Sequence, residues 1–312
     1  MENLIFSLNA TLPIFLLMVL GMIFRKTGII SESFAKQLNS FVFLIPLPVL
    51  VFKNLATIDI VEAWNTKFVL FCFSVTLLSI LISFVLSLVL KEKNKGEFIQ
   101  GSYRSSAALL GMALISNIYG DSIMGPLMII GSVPLYNIVA VIVLSFFKKN
   151  AKIDKQLLKS TCIGILKNPI IIGIVCGIFY SLLKLPYPTI VSKTVNYISA
   201  LASPLGLMAM GASFDFHKAM GSMKSACIAS FMKLFGFCLL FLPLAIHFGF
   251  VQDQIVAILI MLGSASTVSC FVMAKNMGHD GTLSSTIVML TTLISGFSIT
   301  FWLFVLKSIG VL

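Results

Sequence analysis

Ten stretches of mostly apolar residues, most of them close to twenty long, follow one another along this chain with only short charged breaks between them. They lie near 4–24, 38–56, 68–90, 100–119 and 123–147, then near 168–184, 195–213, 226–250, 255–277 and 284–306. A bilayer core takes a helix of about 20 residues. Lipid offers no partner to backbone N–H and C=O groups, so a span must be a helix or part of a closed barrel. Continuous runs of this length, rather than alternating stretches of about ten residues, select helices. Apolar residues make up 58% of the 312 and charged residues 11%, against about half and a quarter in soluble domains. No water-soluble core hides that much apolar surface, and the chain is predicted to be an all-α integral membrane protein with ten transmembrane helices.

The chain also resembles itself. Moved back by 156 positions, half its length of 312, Pro169-Ile170 falls on Pro13-Ile14, Val175 on Val19, Gly177 on Gly21 and Pro204 on Pro48. Gly278-His279-Asp280 falls within a residue or two of Gly120-Asp121. A membrane chain repeated across its midpoint is the pattern of secondary transporters. Each half, 1–150 and 151–312, holds five spans, with Lys148–Lys159 as the linker. Five is odd, so two similar halves must lie in the bilayer with opposite orientation. With the N-terminus outside, seventeen basic residues fall on inner segments and five on outer ones, which is the expected inward bias. Both termini are therefore expected outside the cell (cytoplasmic) membrane. The net charge of +11 follows from that bias, and no basic stripe with interleaved aromatics suggests nucleic acid. Met1–Ala10 lacks the basic start of a signal peptide.

Catalytic chemistry has little to work with. No Asp or Glu falls well inside a predicted span; Asp121, Asp215, Asp253 and Asp280 lie near ends, and His217, His247 and His279 are far apart. Proton-driven carriers usually bury acidic relays, and no triad, paired-carboxylate or metal spacing is present, so neither an enzyme nor a cofactor or metal is expected. The six cysteines stand singly and are read as small packing residues. Polar content instead gathers in spans four and nine, in Gly101-Ser102-Tyr103-Arg104-Ser105-Ser106-Ala107-Ala108-Leu109-Leu110-Gly111 and in Gly263-Ser264-Ala265-Ser266-Thr267-Val268-Ser269-Cys270. Such stretches either let helices pack closely or break, freeing N–H groups and half-helix dipoles for a substrate. Their equivalent places in the two halves favour the binding role. Arg104 and Lys233 are candidate attractors of an anion, although a lone membrane lysine often snorkels to the surface instead. In span five, Tyr136-Asn137 places an amide that needs a partner or a cavity.

These residues resemble the auxin efflux carrier family. The resemblance rests on Leu12-Pro13-Ile14-Phe15-Leu16-Leu17-Met18-Val19-Leu20-Gly21 with Arg25-Lys26-Thr27-Gly28, on Leu38-Asn39 and Leu47-Pro48, and on Arg104-Ser105, Gly111 and Leu135-Tyr136-Asn137. It continues in Lys167-Asn168-Pro169, Pro204-Leu205, Met210-Gly211-Ala212-Ser213 and Phe271-Val272-Met273-Ala274, and so covers nearly the whole chain. It implies two inverted five-helix repeats, a scaffold and a transport domain each built from both repeats, and crossed broken helices four and nine with substrate beside the crossing. It further implies elevator-type movement, homodimers, and substrates such as organic anions. Where relatives carry a span-four Asn and a crossover proline, this chain has Ser106 and Ala113; where they carry a span-nine proline and Asn, it has Ala265 and Ser269. A Ser hydroxyl is shorter than an amide and offers one donor rather than two, so auxin itself is not the expected substrate.

The expected function is export of a small organic anion, a mono- or dicarboxylate, by a secondary carrier. Ser106, Gly111, Ser266 and Ser269 are expected to touch it, Tyr136 and Asn137 to line the site, Arg104 and Lys233 to attract it, and Pro48 and Pro204 to shape spans two and seven. The alternatives are a sodium- or proton-coupled importer on the related bile-acid-symporter architecture, which the shortage of buried carboxylates disfavours, and a membrane sensor, for which neither terminus leaves a soluble domain.

Overall fold

The computed structural model describes residues 13, 16–57, 64–90, 92–107, 115, 119, 122, 124–148, 155–184, 186 and 188–312. Its elements are helical throughout: α1 (16–26), α2 (Glu32–Leu44), α3 (Pro46–Ala56), α4 (Thr66–Val89), α5 (Lys95–Tyr103), α6 (Met124–Phe146), α7 (Lys155–Leu166) and α8 (Pro169–Leu182). The remainder are α9 (Thr189–Ala200), α10 (Ala202–Ala212), α11 (Phe216–Phe231), a π-helical turn at Met232–Gly236, α12 (Phe237–His247), α13 (Gln252–Gly263), α14 (Val268–Asn276) and α15 (Thr282–Ser308). Among the described residues, six helical stretches are long and apolar enough to cross a membrane: Glu32–Ala56, Thr66–Val89, Met124–Phe146, Thr189–Ala212, His217–His247 and Thr282–Ser308. α13 and α14 form a bent pair, turned by 40°, and α8 is a shorter apolar helix. The protein is a multi-span membrane protein.

Local chemistry explains where the helices begin and stop. Ser31, Asn65, Asn168 and Asp215 each accept backbone N–H groups at the start of α2, α4, α8 and α11, satisfying donors that a first turn leaves free. Spans two and seven are each divided, at Ile45 and at Leu201. Pro48 stands four residues beyond Leu44, the last residue of α2, and Pro204 four beyond Ala200, the last of α9. A proline ring clashes with the carbonyl four residues before it, and Pro46 further disfavours helix at Ile45, whose backbone turns to φ −124 and ψ −69. The two breaks are 156 positions apart, the offset at which the sequence matches itself.

One helix contact is also made twice at that offset. A Cβ on Gly21 would sit 2.3 Å from the carbonyl oxygen of Met208, and one on Gly177 would sit 2.9 Å from that of Phe52. Adding 156 to Gly21 gives Gly177, and adding 156 to Phe52 gives Met208, so each pair is the repeat image of the other. α1 therefore lies backbone to backbone on α10, and α8 on α3, at points where only glycine leaves room. α13 is the innermost element, with every residue from Ile255 to Gly263 buried. α4, by contrast, exposes Leu70, Phe73, Leu77, Leu81, Phe84 and Leu88, an apolar stripe at helical spacing that suits lipid. Its buried Ser79 and Ser83 return their hydroxyls to Val75 and Ser79 carbonyls at 2.8 Å.

Two sequence expectations change. The linker predicted over Lys148–Lys159 is in part helix, because α7 begins at Lys155 and runs to Leu166. Averaging hydropathy across Lys155 and Lys159 hides this helix in the sequence. Span four starts earlier than its predicted position near 100, as the short helix Lys95–Tyr103, and Arg104 after it is extended. Gly21→Ala should destabilise the protein by about 1–3 kcal/mol, because a backbone oxygen cannot yield to the added carbon. Gly164→Ala, with nothing within 4 Å of its Cβ position, should be neutral or gain about 0.5–1 kcal/mol. Melting in detergent, with both variants beside the parent, checks the contrast.

Candidate functional site

Two helices stop where they meet. α5 ends at Tyr103 and Arg104 takes an extended conformation, ψ 138. α13 ends at Gly263, Ser264 is extended with ψ 165, and α14 restarts at Val268 after Thr267, ψ 144. The two extended segments are joined by the Ser106 N–H, which donates to the Ala265 carbonyl at 2.9 Å. The bond uses the main-chain oxygen of Ala265. Serine and threonine hydroxyls hold the breaks open. Ser105 Oγ donates to the Ile260 carbonyl at 3.1 Å and lies against Ser264 Oγ, and Thr267 Oγ1 accepts the Ser269 N–H at 3.4 Å as the cap of α14.

A helix that ends inside the membrane leaves its last carbonyls without partners. At α13, Lys233 supplies them: its Nζ donates to Met261 O at 3.1 Å and Leu262 O at 2.6 Å. Tyr136 Oη adds a long contact of 3.4 Å to Met261 O. Lys233 is fully buried and sits in the π-helical turn Met232–Gly236. That turn frees the Leu234 carbonyl, which Trp302 Nε1 takes at 3.0 Å. The lysine neither snorkels nor faces the cavity described below. Its charge answers the negative end of a half-helix.

Arg104 plays a different part. It is 2% exposed, and its Nη2 donates to Asn137 Oδ1 at 2.8 Å and Ser269 Oγ at 2.7 Å. Nη1 lies 3.4 Å from Gln100 Oε1 and 3.0 Å from Met273 Sδ. Every one of these partners is neutral, and no carboxylate of a described residue pairs with the guanidinium. Its Nε has no hydrogen-bond partner, and neither does Asn54 Nδ2. Both residues line one cavity of about 60 Å³, walled by Ser105, Ser106, Tyr136, Asn137, Thr267 and Ser269 on its polar side. Leu47, Leu50, Val51, Val133 and Ile170 form its apolar side. The cavity thus offers one buried positive charge, spare donors and an oily wall.

The structure brings Arg104, Ser106, Tyr136, Asn137 and Ser269 to this one cavity. Arg104, expected to attract an anion, stands at the crossing itself. Ser266 turns away: its N–H donates to Thr291 Oγ1 at 3.0 Å and its hydroxyl lies 3.5 Å from Cys270 Sγ. Lys233 also lies outside the lining, and Gly111, like Ala113, falls outside the described residues. Pro48 and Pro204 sit at the helix breaks, one position beyond the lining residue Leu47 in the first case. Sequence reasoning passed over Asn54, a lone amide in an apolar span, and Thr267, the cap inside the Ser-rich stretch. It also passed over Glu97, a buried carboxylate just before the predicted start of span four. Glu97 accepts the N–H groups of Gly281 at 3.0 Å and Ser284 at 2.9 Å and so caps α15. It is structural, because both its oxygens are engaged at a helix N-terminus.

Comparison with known proteins agrees with this architecture. The profile of a family described as "Membrane transport protein" matches residues 6–303. A protein named an uncharacterized transporter, from Methanocaldococcus jannaschii, is 27% identical over 219 residues, covering 67% of this chain and 69% of that protein.

Lys233→Met should leave the Leu262 carbonyl bare and that of Met261 with only the long tyrosine contact. The expected loss is about 1–3 kcal/mol, read as a lower melting temperature. An unchanged melting point would show that the lysine is not needed to end α13.

Proposed function

The chain belongs to the membrane transport protein family, the auxin efflux carriers, and from that premise we propose that it is a secondary carrier exporting a small organic anion through the cell membrane. The observation that carries the anion reading is the Arg104 guanidinium, buried at the crossing among neutral partners with its Nε unpaired. An uncompensated buried charge costs several kcal/mol, and a carboxylate brought beside it restores the balance with charge-assisted hydrogen bonds. Ser106, Thr267, Ser269 and Asn54 would complete its shell, with the N-terminus of α14 adding a favourable dipole. A single lining cation beside an apolar wall favours a substrate with one carboxylate at the crossing over one that buries two. The cavity of about 60 Å³ is far smaller than the ~300–1,000 Å³ of ordinary ligand pockets, so loading requires movement.

We place that movement between the crossing helices and the frame of α1–α3 and α8–α10, as an elevator-like displacement. The matched breaks at Ile45 and Leu201 and the doubled glycine contacts support two inverted five-helix repeats, 1–150 and 151–312, within ten spans. Ten spans would leave both termini on one face of the membrane, and the inward charge bias favours the outer face for them. Inward charge bias and the absence of a carboxylate from the described cavity lining support uncoupled export driven by the membrane potential over cation-coupled import.

Four experiments test this. Ser106→Ala with Ser269→Ala should lower carboxylate affinity about a hundredfold or more, two hydrogen bonds to a charged group being lost, while the protein still folds in detergent. Arg104→Gln should abolish carboxylate flux into proteoliposomes while melting at or above the parent temperature, since an uncompensated charge has been removed. Carboxylate flux that survives in Arg104→Gln would overturn the site. An inside-negative potential should accelerate efflux from loaded vesicles; a flux indifferent to potential but following a proton gradient would reverse the mechanism. Labels placed at the two termini of cells or oriented vesicles should both react from outside, and reaction from opposite faces would exclude the inverted repeat.

A further inference from the structure

A second cavity, of about 490 Å³, opens away from the crossing at the ends of several helices. Four cations from four elements converge on it: Arg25 at the end of α1, Lys36 on α2, Lys218 on α11 and Lys275 on α14. Two carboxylates share the lining. Glu32 lies 3.5 Å from Arg25 Nη2 and 3.0 Å from Lys36 Nζ. Asp215 is committed to capping α11, accepting the N–H groups of His217 at 3.0 Å and Lys218 at 3.1 Å, with Lys218 Nζ at 3.7 Å. Those backbone donors, that of Lys218 foremost, hold its carboxyl below the usual range, so it stays ionised and its cap stays in place. No ion pair joins Lys275 to a carboxylate of a described residue; Asp280 and Glu97 act on it only from a distance.

This cavity is separate from the crossing. Lys275 lies six residues beyond Ser269 on α14, about 9 Å along the helix axis. Between them α2 packs on α14, where Asn39 Nδ2 donates to Val272 O at 3.4 Å and Val42 and Val268 close over Gly206.

We propose that this cavity is a second anion site, built for a phosphate group. Its four lining cations exceed its two carboxylates by two, the charge of a phosphate dianion. Phosphate presents three acceptor oxygens, enough to meet ammonium groups arriving from different helices. Exposed ion pairs such as those of Glu32 contribute little, so a doubly charged ligand can draw Arg25 and Lys36 toward itself. The volume falls within that of ordinary ligand pockets, large enough for a phosphate carrying an organic substituent. A bound phosphate would tie the α1–α2 side to α11 and α14 and hold the arrangement seen here. Either a free phosphate compound or a lipid headgroup that ends in a terminal phosphate carries the required chemistry.

The test is melting of the full-length purified protein, and it does not depend on transport. Pyrophosphate, added in detergent at constant ionic strength, should raise the melting point by about 2–4 °C. Lys36→Gln with Lys275→Gln should abolish the rise, while Lys26→Gln, outside the lining, should keep it. A rise seen only in nanodiscs containing phosphatidic acid rather than phosphatidylcholine, and lost in the same double variant, assigns the site to a lipid headgroup. No rise with either probe, or a rise that persists in Lys36→Gln/Lys275→Gln, overturns the proposal. Intact carboxylate flux beside a lost phosphate response would leave the crossing unaffected, so the two sites fail independently.

Discussion

The structure depends on how a helix can end in the middle of a membrane. α13 is buried on all sides, so the carbonyls of its last turn have no water to turn to, and each left bare costs free energy comparable to a lost hydrogen bond. Ile260 O is met by the Ser264 N–H and the Ser105 hydroxyl, and Met261 O and Leu262 O by Lys233. Only with those partners in place can the chain leave α13, cross the extended segment of span four, and restart at Thr267. The break costs little because the neighbouring elements absorb it.

That arrangement also divides labour between two buried cations. Lys233 and Arg104 look alike in the sequence, each a lone basic residue in an apolar run. Lys233 is spent on main-chain carbonyls and belongs to the scaffolding of the crossing. Arg104 contacts only neutral side-chain groups and keeps a spare N–H beside the cavity. A guanidinium can do this because its fork holds Asn137 and Ser269 while another donor stays free. The difference lies in what surrounds each charge.

The membrane class, the helical content and most span positions were legible in the sequence, because a run of about twenty apolar residues has few alternatives in lipid. The breaks at Ile45 and Leu201 were signalled by Pro48 and Pro204, whose rings act on the carbonyl four residues earlier. Much of the site was legible too: Arg104, Ser106, Tyr136, Asn137 and Ser269 are conspicuous as polar residues in apolar surroundings. Ser266 was indistinguishable from Ser269 by composition. Ser266 lies in the extended break and Ser269 in the first turn of α14, so they face different neighbours, Thr291 and Cys270 for one and Arg104 for the other. Asn54 went unremarked because one amide in a span has no meaning until the opposite wall is known. α7 was hidden by its lysines, and Glu97 by lying just ahead of an apolar run.

Sequence alone therefore determined that the chain lives in a bilayer, that it is helical, and that its two halves echo each other, since these follow from solvent, chain length and local sterics. Tertiary structure decided which polar side chains are consumed in closing helix ends and which remain free to meet a ligand. That choice depends on partners 28 to 169 residues away in the chain, as Lys233 with Met261 and Arg104 with Met273 show, and no local pattern records it.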